Sequence, residues 1–221
     1  MASGFFITGT DTGIGKTFIS CLLLQALSAK RKTVVGMKPI AAGRDSGIWS
    51  DVELLRAAGN VKVSREIMNP YALDLPIAPH IAGERQGVGI DIATIQTAFQ
   101  TLTRVADYVI VEGVGGFLVP VNENQDTSDM ARLLDLPVIL VVGMRLGCLN
   151  HALLTVQAIK ETGLPLTGWL ANCIDPETLE LEENIAALQH RIDSPLLGTI
   201  PFVSSPDMLE LSRLINLPDS V

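Results

Sequence analysis

Lys16, Thr17, Lys38, Asp51 and Glu112 are the residues whose types and settings could do chemistry. Lys16 and Thr17 close the stretch Phe5-Phe6-Ile7-Thr8-Gly9-Thr10-Asp11-Thr12-Gly13-Ile14-Gly15-Lys16-Thr17, which reads as a buried strand, a glycine-rich turn and the first turn of a helix. Backbone N–H groups of such a turn, with the helix N-terminus, make a cradle for phosphate oxygens. The lysine then supplies a mobile positive charge for β- and γ-phosphates, and the following hydroxyl can ligate Mg²⁺. The spacing departs from the common pattern of glycine, four residues, Gly-Lys-Ser/Thr. Five residues separate Gly9 from Gly15, and the position four residues before Gly15 carries Asp11 rather than glycine.

A second lysine and two acids fall where they could join that loop. Lys38 follows Thr33-Val34-Val35-Gly36-Met37, an expected strand, so it lies at the edge where open α/β sheets bind ligands. Asp107-Tyr108-Val109-Ile110-Val111-Glu112 reads as a buried strand ending in an acid, the form in which a carboxylate helps hold Mg²⁺ or its water shell. Gly113-Val114-Gly115-Gly116 keeps the backbone thin for the approach of a ligand, although such a run also makes a plain turn. Asp51 opens a helical pattern. As an N-cap it needs no further role, and as a carboxylate at the same edge it could reach Mg²⁺.

The elements that must position these groups alternate between strand and helix. Residues 16–30 have a helical period ending at Lys30-Arg31-Lys32, where cations suit the helix dipole. A polar loop spans 44–50, and 61–90 reads as irregular: Asn69-Pro70-Tyr71 and Ala78-Pro79-His80 are turn-like, and 83–89 is a loop. His80 alone reads as a structural hydrogen-bonding residue. Helical spacing returns at 91–105, and 127–134 reads as a short helix capped by Thr127 or Ser128. Pro137 to Gly143 is apolar throughout, as a central parallel strand covered on both faces should be. Leu146-Gly147-Cys148-Leu149-Asn150-His151 then leads into a helix to Lys160. Its free N–H groups could receive a carboxylate, or Asn150 could be a simple cap. Strands at 166–172 and 195–201, an acidic helix around 178–191 and a final helix at 207–214 complete the pattern. The expected fold is a single-domain, doubly wound, mostly parallel α/β sheet with helices on both faces, spanning residues 1–221.

Composition narrows the function classes. Hydrophobic residues make up 48% and charged residues 18% of the chain, which supports an extensive core rather than disorder. A net charge of −8 argues against non-specific nucleic-acid binding, and 5% aromatic content argues against stacking platforms for single strands. No apolar run is long enough to span a bilayer, and no segment resembles a signal or transit peptide. Cys21, Cys148 and Cys173 are odd in number and scattered, which suits reduced thiols in the cytoplasm.

Taken together, Gly9 to Thr17, Lys38-Pro39, the Val-Glu-Gly-Val-Gly-Gly run ending at Gly116, Val141 to His151 and Gly168-Trp169-Leu170-Ala171-Asn172 resemble the dethiobiotin synthetase family. The resemblance runs from the first strand to Pro201-Phe202. It implies that 7,8-diaminononanoate, CO₂ and ATP give dethiobiotin, ADP and phosphate through a carbamate and a carbamic–phosphoric mixed anhydride. It further implies Lys38 and Lys16 as catalytic lysines and Thr17, Asp51 and Glu112 as Mg²⁺ ligands. ATP would be held by Gly13, Ile14, Gly15, Lys16, Thr17 and Phe18, by Asp51, by Glu112, Gly113, Val114 and Gly115, and by Asn172, Cys173, Pro201, Phe202, Val203 and Asp207 around the base. Thr12, Lys38 and Gly115 would contact the diamine substrate. In a homodimer with its substrate site at the interface, Gly147, Cys148, Leu149 and Asn150 of the neighbouring subunit would cap the substrate carboxylate.

Three positions depart from the family pattern: Gly13 replaces a glutamate, Ala42 a serine and Asn184 a tyrosine. Each loss is worth about 1–2 kcal/mol if the missing group made one hydrogen bond, and none touches the lysines or the metal set. Two other readings are a partitioning ATPase of the MinD/ParA kind and a relative that has lost the ligase activity. The first class carries a lysine just after the loop's first glycine, where this chain has Thr10.

Overall fold

A computed structural model of the chain describes residues 3–218. Strand β1 (Ser3–Gly9) runs into the phosphate loop and helix α1 (Lys16–Ala29), followed by β2 (Val34–Met37) and a short β3 (Ile40–Ala42). Next come α2 (Ser50–Ala58), α3 (Arg65–Met68), β4 (Tyr71–Leu73), α4 (Pro79–Gln86) and α5 (Ile92–Leu102). The second half alternates β5 (Tyr108–Glu112), α6 (Thr127–Leu134), β6 (Val138–Met144), α7 (Cys148–Glu161), β7 (Leu166–Cys173), α8 (Leu181–Gln189), β8 (Leu196–Ile200) and α9 (Met208–Ser212).

All six expected strands are present and pair in the order β2-β5-β1-β6-β7-β8, every pair parallel. Parallel neighbours need crossover connections, and right-handed crossovers in opposite directions put helices on opposite faces. Helix α1 packs with α2 and α9, while α5 pairs with α6 and α7 with α8. Every residue of β5 and β6 is buried, which is why these strands read as unbroken apolar runs. From β1 the chain crosses to β2 on one side, and from β5 it crosses past β1 to β6 on the other. The crevice beyond the carboxyl end of β1 is therefore the topological switch point of the sheet.

The expectation that 61–90 is irregular is corrected. It holds α3, β4 and α4, with β3 and β4 forming a separate two-stranded parallel sheet. Each piece is too short for its periodicity to show, and Pro79, read as a turn, sits in the first turn of α4 where a missing N–H does no harm. The expected caps shift as well. Asp126, not Thr127 or Ser128, caps α6 through a reciprocal capping box with Asp129. The N-cap of α2 is Trp49, so Asp51 lies inside the first turn rather than at the cap. Asn150 is likewise not a cap, because Gly147 is the N-cap of α7, with φ 91°. The basic triplet lies beyond the last turn of α1, where Arg31 turns the chain.

Candidate active site

Parallel pairing of β2 with β5 puts Met37 beside Val111, so the next residues on the two strands, Lys38 and Glu112, leave the sheet side by side. The Lys38 Nζ donates to Glu112 Oε1 at 2.5 Å and to the Gly113 carbonyl at 3.2 Å, and lies 3.3 Å from Asp51 Oδ2. Thr17, one residue into α1, donates its hydroxyl to the same Glu112 oxygen at 2.8 Å. Lys38 and Glu112 are buried while the Asp51 side chain is 50% exposed, so Asp51 marks the solvent side of the cluster. Burial pulls the Lys38 ammonium down, but the Glu112 and Asp51 carboxylates outweigh it and hold its pKa above the ordinary lysine value.

The phosphate loop is built from below by close packing. Ile14 is buried under the loop between two glycines. A Cβ at Gly143 on β6 would come within 2.6 Å of it, and one at Gly9 within 2.7 Å. Asn172, at the end of β7, donates its Nδ2 to the Ile14 carbonyl at 2.8 Å. Gly15 meets that amide with φ +86°, a conformation that favours glycine. Asp11 organises the loop from above. Its Oδ1 accepts from the Thr12 N–H at 2.7 Å, its Oδ2 accepts from Arg145 at 2.5 Å, and its carbonyl accepts from Lys16 Nζ at 2.7 Å. Burial, and then the charge of Lys38, lower the Lys16 pKa to about 8 against the opposing pull of Glu112, Asp51 and Asp11. Gly13 has φ +74° with open space beside it, a backbone conformation that favours glycine.

These groups open into a cleft of about 910 Å³ lined by Asp11, Thr12, Gly13, Gly15, Lys16, Thr17, Phe18, Lys38, Asp51, Glu112, Val114, Gly115 and Gly116. Its remaining wall is apolar: Ala42, Leu54, Pro76, Ile77, Ala78, Pro79 and Val119. A side pocket of about 390 Å³ continues past Ala42, Asp51 and Pro76 towards Arg44 and Trp49. The structure thus brings together both lysines, the Thr17-Asp51-Glu112 set, Thr12 and Gly115. Ile14 and Gly113 support the cleft from beneath, without lining it. Asn172, Cys173, Pro201, Phe202, Val203 and Asp207 lie outside that lining, as do Gly147, Cys148, Leu149 and Asn150 at the start of α7. Asp207 has a structural task, since its Oδ1 caps α9 through the N–H groups of Leu209 and Glu210. The Asn184 amide donates to the Leu179 and Glu180 carbonyls near the start of its own helix.

Sequence reasoning missed Arg145 and the apolar wall at 76–79. Arg145 has no local signature within the Val141–His151 stretch, and the Pro-Ile-Ala-Pro run is legible only as a turn.

The Thr17-Asp51-Glu112 set fits Mg²⁺. Among the described residues no cluster of three His, Cys, Asp or Glu could hold a metal by itself. Mg²⁺ does not need one, since it keeps several waters and takes one or two carboxylates plus substrate phosphates. Glu112 Oε2 is buried without a hydrogen-bond partner among the described residues, an acceptor already in place for a cation.

Strand order, loop and strand-end acid place the chain among the P-loop nucleotide-binding α/β proteins. The AAA domain family profile matches residues 3–207. The septum site-determining protein MinD of Pyrococcus horikoshii, solved with Mg-ADP, has a similar fold at TM-score 0.59 and 18% identity, covering 96% of this chain and 86% of that one. The ATP-dependent dethiobiotin synthetase BioD of Nitrosospira multiformis is 55% identical over 98% of this chain and 96% of its own length. That of Aromatoleum aromaticum is 52% identical over 97% of each chain. The chain belongs to the dethiobiotin synthetase family.

Proposed function

We propose that this chain closes the ureido ring of dethiobiotin from 7,8-diaminononanoate, CO₂ and ATP. The observation that carries the reading is the convergence of Lys38 and Lys16 with Glu112, Asp51 and Thr17 at the mouth of the phosphate loop. One substrate amine adds to CO₂, forming a C–N bond and losing a proton, to give a carbamate. A carbamate is a poor electrophile, so its oxygen attacks the γ-phosphorus and ADP leaves. The second amine then attacks the carbamoyl carbon, the ring closes, and phosphate departs with the former carbamate oxygen.

The chain's own groups serve each step by placement and charge. Lys16 and the loop N–H groups hold the phosphates. The Lys38 ammonium, kept protonated by its carboxylate neighbours, lies where it can offset the charge that gathers between carbamate and γ-phosphate. Thr17, Asp51 and Glu112 would hold Mg²⁺, which supplies further positive charge to the phosphate oxygens. The apolar wall formed by Leu54, Pro76, Ile77 and Pro79 suits an alkyl diamine and keeps water from the mixed anhydride.

The base would lie beyond Gly15, where Asn172 commits its Nδ2 to the Ile14 carbonyl, with Phe202 and Val203 exposed just after β8. A homodimer completes the substrate site in this reading. Leu146 is 101% exposed beside an α7 N-terminus that carries no side-chain cap, and Leu118 and Leu154 are exposed as well. A partner copy would cover these side chains and bring the free N–H groups of α7 to the substrate carboxylate. We place the protein in the cytoplasm as one domain without nucleic-acid or membrane partners. The net charge of −8 disfavours non-specific nucleic-acid binding.

The test is to mix the protein with ATP, Mg²⁺, bicarbonate and 7,8-diaminononanoate and look for dethiobiotin by mass spectrometry. Its formation in step with ADP is expected. Diamine-independent ATP hydrolysis without dethiobiotin would favour the partitioning-ATPase reading.

A further inference from the structure

Asn69 lies between α3 and β4, is 4% exposed, and has no place in the cleft. Its Nδ2 donates to the Lys38 carbonyl at 2.7 Å and to the Tyr71 carbonyl at 3.0 Å. On either side of it, the Lys38 N–H donates to the Met68 carbonyl at 2.9 Å and the Tyr71 N–H to the Pro39 carbonyl at 3.0 Å. Residues 68–71 therefore bracket Lys38-Pro39 on both edges. The need for a bracket follows from the chain path. Lys38 is the point where the chain leaves β2 and bends into β3, so its backbone groups fall outside both ladders and must find other partners. Pro39 offers no N–H of its own and holds Lys38 in an extended conformation.

We propose that Asn69 is a positioning residue for the reaction: by anchoring the Lys38 carbonyl at this bend, it fixes the direction in which the Lys38 side chain enters the cleft. Asn69 Oδ1 is buried and has no partner among the described residues, a destabilising arrangement. An amide is thus a poor choice here for stability alone, and its two N–H donors are what the bend uses. The inference rests on Lys38 acting in phosphoryl transfer.

Two variants test it, with Lys38→Ala and the unaltered chain measured alongside. Asn69→Ser keeps one short donor. Asn69→Asp keeps the shape but sets a carboxylate oxygen against two carbonyls. Turnover is expressed per nucleotide-binding site, counted by ATP titration. The expected result is a fall in kcat of about 10- to 100-fold for Asn69→Asp and a smaller fall for Asn69→Ser, with ATP Kd and diamine KM little changed. Unchanged kcat per site in both variants overturns the proposal, even if melting temperature falls, because a purely structural role gives that pattern. Should Asn69→Asp fail to fold, Asn69→Ser decides. Loss of ATP binding in both also overturns it, since the defect then reaches the whole sheet edge. Near-normal turnover by Lys38→Ala would instead remove the assignment on which the inference rests. An inactive Lys38→Ala beside normal Asn69 variants defeats this inference alone.

Discussion

Lys38 and Glu112, 74 residues apart in sequence, meet at 2.5 Å because β2 and β5 run parallel with Met37 opposite Val111. One oxygen of Glu112 holds both Lys38 and Thr17, while the other has no partner among the described residues. The carboxylate therefore joins the second lysine, the phosphate loop and the proposed metal position.

Lys38→Ala should abolish dethiobiotin formation, a loss of at least about 10²–10³ in turnover, while Mg-ATP still binds. The variant also leaves Glu112 buried without its cation, at a cost of about 3–5 kcal/mol. Its melting temperature should fall in the nucleotide-free state and recover in part with Mg-ATP. Near-normal product formation would remove Lys38 from the mechanism.

Glu112→Gln keeps the side-chain shape but removes the charge. The Mg²⁺ concentration giving half-maximal turnover should rise, read from a Mg²⁺ titration at saturating ATP. A titration curve that superimposes on that of the unaltered chain would dissociate Glu112 from the metal.

Lys16 gives a pH dependence with a definite sign. Its pKa is about 8 in the folded chain against 10.5 as a free side chain. The nucleotide-free folded state therefore binds fewer protons than the unfolded state between these values, and Lys16 makes stability rise with pH across that window. Lys38, held above the ordinary lysine value, acts oppositely, and its contribution is lost only as pH passes its raised value. With its pKa lowered to about 8, Lys16 loses its proton at mildly alkaline pH in the nucleotide-free chain, so ATP binding at pH 8.5 should take up protons. Calorimetry in two buffers of different ionisation enthalpy measures this. No uptake at pH 8.5 would show that Lys16 is already charged.

Gly143→Ala places a methyl within 2.6 Å of Ile14 and should push the phosphate loop upward. About 1–3 kcal/mol of stability should be lost through overpacking, with weaker ATP binding and little change in diamine KM. Thermal melts and ATP titration read the two effects separately. Unchanged ATP affinity would mean that the loop is not set from beneath by Ile14.

The main sheet was legible because each of its strands is a short apolar run between turn signals, and fully buried parallel strands carry that pattern most clearly. Lys16, Thr17, Lys38 and Glu112 were legible because strand ends and helix starts have sequence signatures. What escaped was contact across distance. The Arg145–Asp11 pair joins residues from different switch-point strands, and nothing local in either announces the other. Asn69 showed only as part of a turn, because its partner is a backbone carbonyl 31 residues away. Asp51 stood between two readings because only the structure shows Trp49 as the N-cap of α2, which leaves the Asp51 carboxylate to approach Lys38.

If a carbamate oxygen attacks the γ-phosphorus, it leaves with the phosphate. Bicarbonate labelled with ¹⁸O, supplied with unlabelled ATP, Mg²⁺ and the diamine, tests this directly. Dethiobiotin should form, with both its ureido oxygen and one oxygen of the released phosphate carrying the label. Phosphate whose new oxygen comes from water, released at a rate that ignores the diamine, would contradict it.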